Sequence, residues 1–112
     1  MKSQNIKDIP DAPNMHGVKV QKLYDTYHAH AMHITLLPGE SLKRHITPVD
    51  VFFYVLEGVG VVEIGDEKCT VGKDTVIDSP AKIPHCWYNE GEAELRVLVI
   101  KVPRPVDKTK VL

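Results

Sequence analysis

The sequence lacks a charge excess of either sign, because 14 basic side chains face 15 acidic ones, for a formal net charge of −1. Without a basic surface, neither nucleic-acid phosphates nor anionic lipids are expected partners. No apolar run approaches the ~20 residues that span a membrane. The chain also starts with a polar stretch, where a signal peptide would have an apolar segment. We therefore expect a cytoplasmic protein.

Cysteine is scarce as well. The two cysteines, Cys69 and Cys86, are too few for a disulfide framework and are not spaced like a metal-binding pair. We expect both to be reduced thiols. The 112 residues correspond to one ordinary domain, which can bury enough surface to fold without disulfides.

Helical periodicity is missing too, and short β-favouring segments separated by Gly, Pro or Asp turns take its place. This pattern predicts a β-sandwich or barrel. The run VFFYVL predicts a central strand with both faces covered. We divide the chain into an N-terminal arm (1–16), a barrel domain (17–105) and a C-terminal tail (106–112). The predicted strands lie at 18–24, 26–37, 41–45, 51–56, 61–64, 68–71, 75–77, 83–88 and 93–102.

Two stretches share the order turn, strand, histidine, strand, as a jelly roll of two similar halves would produce. Residues 38–58 contain His45 and residues 74–89 contain His85. Because neighbouring strands lie about 4.8 Å apart, we expect these two imidazoles to converge. They would either bind a metal such as Zn, Cu, Fe or Ni, or act as hydrogen-bonded polar residues of a metal-free pocket.

These residues resemble the motifs of the small single-domain cupins (cupin_2-like conserved barrels). The first motif is represented by Gly39, by His45 after five intervening residues, and by the run YVLEG that ends at Gly58; the second is represented by Pro80, His85 and Asn89. The resemblance covers about residues 20–102. It implies an all-β fold, a double-stranded β-helix or jelly-roll barrel.

The resemblance also implies a divalent metal, Zn, Fe, Ni or Mn, held by two histidines and a glutamate of the first motif and a histidine of the second. Here Thr47 occupies the second histidine position and Val51 the glutamate position. Only His45 and His85 therefore remain from the ligand set that the family implies, which makes the first metal motif degenerate.

A third ligand would have to come from outside the motifs. His33, on the strand before the first motif, is the candidate we favour, although a histidine satisfied in the barrel wall is the structural alternative. Asp50 is a second candidate, but strand alternation turns it away from the face of its neighbour. His28 and His30 are weaker candidates, because they lie nearer the start of their strand.

The site is expected to lie at one end of the barrel, with Tyr54, Trp87 and Thr47 as ligand-binding residues. Two functions follow. The first is a metal site that binds or acts on a small sugar, carboxylate or dicarbonyl. The second is a non-catalytic binding module that has lost its metal. The apolar residues on both faces of several strands further predict a homodimer.

Overall fold

The computed structural model covers residues 1–112 and consists of ten strands and one 3-10 turn over Ile6–Asp8. It has no helix with the length and hydropathy needed to cross a membrane. The strands are β1 (Lys19–Asp25), β2 (His30–Leu36), β3 (His45–Ile46), β4 (Asp50–Glu57), β5 (Gly60–Ile64), β6 (Glu67–Val71), β7 (Val76–Ser79), β8 (His85–Tyr88), β9 (Leu95–Val102) and β10 (Lys110–Val111).

The strands form two five-stranded sheets. Sheet A has the order β1-β2-β9-β4-β7, and sheet B has the order β10-β3-β8-β5-β6. All the strand pairs are antiparallel, and strands distant in sequence, such as β2 and β9, become neighbours. The predicted all-β jelly-roll fold is confirmed, and the inner faces of the two sheets enclose one apolar core.

Strand β4 is covered on its inner face only, although both of its faces were expected to be covered. Val51, Phe53 and Val55 point inward and are at most 4% exposed, whereas Phe52 on the outer face is 39% exposed. The prediction that both faces of this strand are covered is therefore wrong within one protomer. A sheet that closes a barrel buries one face only, and nothing in the chain packs over this part of the outer face of sheet A.

The corner between β4 and β5 depends on glycine. Gly58 has a φ of +85°, and a Cβ there would overlap the carbonyl oxygen of Glu94. At Gly60 a Cβ would lie 2.5 Å from a methyl carbon of Leu95 and 3.0 Å from the Trp87 ring. Larger residues would push the corner away from β9, so these two positions require glycine.

Both chain ends, expected outside the barrel domain, pack against it. In the N-terminal arm, Asp11 forms a bridge with Gln21 of β1, and the Gln21 amide donates hydrogen bonds to the carbonyls of Ile6 (2.7 Å) and Ile9 (2.9 Å). In the tail, β10 pairs with β3 and adds a strand to sheet B that was not predicted. Arm and tail thereby reach the end of the barrel where the two motif histidines lie.

Candidate functional site

The structure brings His45 and His85 together. They lie directly opposite each other on β3 and β8, so their side chains share the inner face of sheet B. Their ring centroids are 4.4 Å apart with an interplanar angle of 73°. Both residues are buried, at 7% and 2% exposure. The short strand β3, fixed between β8 and β10, holds this geometry.

The backbone of Lys43 fixes the tautomer of His45. The Nδ1 atom of His45 lies 2.6 Å from the carbonyl oxygen of Lys43. Because a carbonyl oxygen only accepts, Nδ1 carries the proton and donates it. The Nε2 atom of His45 makes no hydrogen bond within the chain and keeps an uncommitted lone pair.

Two hydroxyls hold the ring of His85. Its Nδ1 lies 2.6 Å from Ser79 Oγ, and its Nε2 lies 3.2 Å from Thr47 Oγ1. The edge of the ring also packs against Phe53, with centroids 5.3 Å apart. Thr47, which stands where the family pattern has a metal-binding histidine, thus lines the cavity and hydrogen-bonds to the remaining histidine.

A third histidine, which sequence reasoning missed, lies beside the pair. The ring of His16 in the N-terminal arm is 4.7 Å from that of His45, centroid to centroid. Its Nδ1 accepts a 3.0 Å hydrogen bond from the backbone N–H of Lys43, which places the proton of the neutral ring on Nε2. No motif marks His16, because it depends on the path of the arm.

Burial keeps these histidines neutral. It lowers the pKa of His85 to about 3 and that of His16 to about 4, with the nearby His45 as the next cause in each case. Burial also lowers the pKa of His45, and the positive charge of Lys101 adds to this effect. At neutral pH the three rings therefore present lone pairs and N–H groups, not positive charges.

Lys101 is the second residue that the sequence analysis missed. It lines the same cavity as the three histidines, and burial lowers its pKa. Its Nζ donates only a long hydrogen bond, 3.5 Å, to Thr109 Oγ1 of the tail. Strand alternation could have identified it, because β9 places Val97, Val99 and Lys101 on one face, and the two valines are buried core residues.

The cavity itself is small, about 210 Å3, and lies between the two sheets beneath the arm and tail. No aspartate or glutamate lines it. Its polar lining residues are the three histidines, Thr47, Lys101 with its partner Thr109, and Asn14, whose amide is hydrogen-bonded within the arm. Most of its apolar wall comes from strands of sheet A, together with one residue of the segment before β3: Val20, Met32, Ile34, Phe53, Val99 and Leu42.

His33 does not join this cluster, so its predicted place as the third ligand is wrong. The neighbouring Ile34 points into the core, which turns His33 to the outer face of sheet A. There its Nδ1–H donates to Gln21 Oε1 (3.1 Å), and its Nε2 accepts from Arg96 Nε (3.0 Å). Asp50 also lies outside the cavity, where its carboxylate accepts from the backbone N–H of Ala81.

Tyr54 and Trp87 do not line the cavity, contrary to expectation. Tyr54 alternates with the inward-pointing Phe53, so it faces outward and donates a hydrogen bond to Asp74 Oδ1 (2.9 Å). Trp87 points inward but is a fully buried core residue, 1% exposed, that packs edge-on against Phe53. Its indole N–H has no hydrogen-bond partner. Of the three predicted ligand-binding residues, Thr47 alone reaches the cavity.

The donor set does not fit a resident divalent metal. Nowhere in the structure are three His, Cys, Asp or Glu side chains grouped so that they could hold one. Protein metal sites of the catalytic kind use three protein ligands. Here His45 offers one free nitrogen, His85 shares both of its nitrogens with hydroxyls, and the free nitrogen of His16 carries a proton. The ammonium of Lys101 would further repel a cation, and no carboxylate is present to offset it.

The two-sheet jelly roll with paired histidines between its sheets defines a class of protein, the double-stranded β-helix barrels. Comparison with known proteins gives the family. Residues 32–101 match the family model Cupin_2, described as "Cupin domain", which is more than half of the chain. The chain belongs to the cupin family.

The chain is also similar to individual proteins. The chain is 36% identical over 62 residues to the uncharacterized protein MJ1618 of Methanocaldococcus jannaschii, covering 55% of this chain and 49% of that protein. This chain therefore matches only about half the length of that relative. The crystal structure of TT1209 from Thermus thermophilus is similar with a TM-score of 0.79 and 27% identity, over 94% of this chain and 100% of that one.

A third comparison shows the fold alone. The polyketide cyclase RemF from Streptomyces resistomycificus matches with a TM-score of 0.86 over 100% of this chain and 85% of its own, at 20% identity. The cyclase activity in its name is that of RemF. What the likeness shows for this chain is that its barrel is built like those of other cupins.

Proposed function

We propose that this cupin is a binding module that holds one small polar molecule, of the sugar, carboxylate or dicarbonyl class, in its histidine-lined cavity without a resident metal ion. The donor set carries the proposal. Two of the four metal positions of the family pattern are Thr47 and Val51, and the hydroxyl of Thr47 takes up a ring nitrogen of His85.

The remaining polar groups support a small ligand. A cavity of about 210 Å3 has room for one small molecule, and half of its lining residues are hydrophobic. Within it, His45 Nε2 can accept a hydrogen bond, whereas the N–H of His16 and the ammonium of Lys101 can donate. A few polar groups in a mostly apolar cavity are typical of sites that orient one ligand.

Metal analysis is the first test. Protein purified without a histidine tag should contain far less than one equivalent of Zn, Fe, Ni or Mn, and Zn²⁺ added in a calorimeter should show no stoichiometric site. Protein that retains one equivalent, and loses it in both His45→Ala and His85→Ala but not in His28→Ala, would instead establish the metal-dependent function.

Ligand binding is the second test. The ring C–H signals of His45 and His85 should shift in NMR spectra when glucose, benzoate or pentane-2,4-dione, one probe for each class, enters the cavity. His45→Ala should weaken that binding, because it removes the uncommitted ring nitrogen, while the exposed His28→Ala should not. If none of the three probes shifts either ring, the proposed binding function is wrong.

We further propose that two copies pair through the outer face of sheet A. Phe52 on β4 and Val76 on β7 are 39% and 60% exposed on adjacent strands, and exposed apolar patches of this kind mark interfaces. Light scattering should give the mass of a dimer. Phe52→Glu should give a monomer, and Val106→Glu, on the exposed tail, should leave the mass unchanged. A monomeric parent protein would contradict this pairing.

The proposed location is the cytoplasm. Both cysteines are free, and Cys69 is exposed on β6. An exposed thiol persists in a reducing compartment, which supports this assignment. Mass spectrometry of alkylated protein from intact cells should find Cys69 labelled, whereas an intermolecular disulfide at Cys69 would argue for an oxidising location.

A further inference from the structure

The cavity contains a positive charge without a counter-charge. Lys101 is half-buried, and its ammonium takes part in none of the four salt bridges of the structure. Its one hydrogen bond is the 3.5 Å contact with the Thr109 hydroxyl, which is neutral and long for a charge-assisted bond. A half-buried cation with so little compensation carries a desolvation cost, so an ion of opposite charge is favoured beside it.

The nearest strands supply no such ion. Lys101 pairs in register with His30 of β2, which pairs in turn with Asp25 of β1. The Asp25 carboxylate, however, accepts hydrogen bonds from Arg104 and lies 3.6 Å from Lys22 Nζ. On the other side, Asp50 accepts from a backbone N–H outside the cavity. A negatively charged molecule that enters the cavity would supply the compensating charge that these carboxylates do not.

We infer that the cavity selects a small organic anion, a monocarboxylate whose negative head pairs with Lys101 and whose apolar body lies against Met32, Ile34 and Phe53. The inference rests on the proposed function and narrows its three ligand classes to one. Lys101 is then the residue that determines charge specificity, a role that no part of the cupin motif pattern assigns to it.

The alternatives fit the cavity less well. A neutral sugar would leave the ammonium without a counter-charge and would place many hydroxyls against apolar walls, where they lose hydrogen bonds to water. A metal cation would add a second positive charge beside Lys101. A carboxylate, in contrast, pairs with the ammonium and can also accept a hydrogen bond from the Nε2–H of His16.

The test uses two probes of nearly identical shape, benzoate and its neutral amide benzamide. We expect benzoate to shift the ring signals of His45 and His85 and to bind about tenfold or more tightly than benzamide. Lys101→Gln should remove that preference, and Lys101→Arg, which keeps the charge, should retain most of it. Lys73→Gln, an exposed lysine of a turn, is the matched control and should behave like the parent protein.

Different outcomes of this test would contradict the anion inference and the proposed binding function on which it rests. Equal binding of benzoate and benzamide, or benzoate binding unchanged in Lys101→Gln, would overturn the anion assignment. If glucose shifts the two rings independently of residue 101, the binding function stands while the anion inference fails. If Lys101→Gln does not fold, the benzoate-to-benzamide ratio of Lys101→Arg and of the parent protein still decides the question.

Discussion

Buried histidines lie on opposite sides of the barrel wall, and their surroundings differ. On the outer face of sheet A, both ring nitrogens of His33 are taken by Gln21 and Arg96, and Gln21 in turn holds the carbonyls of the arm. Inside the barrel, His45 donates one hydrogen bond and leaves Nε2 uncommitted toward the cavity. His33 thus fastens the N-terminal arm, whereas His45 is available to a ligand.

Burial and a lowered pKa do not by themselves identify a functional histidine. His33 and His85 are 3% and 2% exposed, and burial lowers their pKa values to about 4 and about 3. The two sides of the barrel wall differ in whether both ring nitrogens already have hydrogen-bond partners and in whether a cavity lies beside the ring. If every buried histidine with a lowered pKa were assigned to the site, His33 would be included wrongly.

The largest effect is expected from His85→Ala. The substitution leaves a cavity against Phe53 and removes the partner of two buried hydroxyls, those of Ser79 and Thr47. The free energy of unfolding should fall by about 3 kcal/mol. Urea denaturation measures it, with His28→Ala as the exposed control. A loss below about 1 kcal/mol would show that the inner histidine packs more loosely than the structure indicates.

Low pH should destabilise the protein through two histidines, His33 on the outer face of sheet A and His85 inside the barrel. His33 and His85 have native pKa values of about 4 and about 3, whereas an unfolded histidine titrates near 6.5. The unfolded chain therefore binds more protons as pH falls below about 6.5, and stability is lost from there down to the native values. Between pH 7 and pH 5.5, each of these two residues should lower the free energy of unfolding by about 1 kcal/mol.

Urea midpoints measured across this pH range test the expectation. His33→Gln should remove the contribution of His33 to the pH dependence, so the free energy of unfolding should fall less steeply with pH. His28→Gln should leave the pH dependence unchanged. The profile also includes His16, His45 and His30, whose pKa values are lowered mainly by burial. A stability that stays constant from pH 7 to 5.5 would mean that the native histidines titrate normally.

His33→Ala should have a smaller effect on stability than His85→Ala and no effect on the cavity. Arg96 can retain its salt bridge to Glu57, and water can reach the vacated site from the outer face, so we expect a loss of about 1–2 kcal/mol. Hydrogen exchange should accelerate in residues 6–9, which Gln21 holds. A change in the ring signals of His45 would show that the two faces are coupled.

The smallest effect is spectroscopic. At neutral pH, ¹⁵N spectra of the imidazole rings should show His33 and His45 protonated at Nδ1 and His16 protonated at Nε2, because a carbonyl or amide oxygen can only accept and a backbone N–H can only donate. His28, which makes no ring hydrogen bond, provides the reference. An Nε2-protonated His45 would remove the uncommitted lone pair on which the proposed site depends.

Much of the barrel could be predicted because its signals are local. The β-favouring run VFFYVL and the Gly, Pro or Asp turns between segments reflect the geometry of single strands and corners, and the structure confirms the fold that they indicate. The short strand β3 was less predictable, since the segment 41–45 was expected to be a strand, but the strand is His45–Ile46 and Ser41 makes only an isolated bridge with Tyr88. Its partner β10 lies far away in the sequence.

The local sequence patterns are enough to predict a cupin barrel and to place His45 and His85 at equivalent strand positions in its two halves. Strand parity is also sufficient to place Lys101 on the inner face, with Val97 and Val99. Only the tertiary structure decided that His33 lies outside, that Thr47 bonds to His85 and that His16 joins the cavity. The physical reason is distance along the chain: His16 reaches Lys43 across 27 residues, a contact that depends on the path of the whole arm and not on any local pattern.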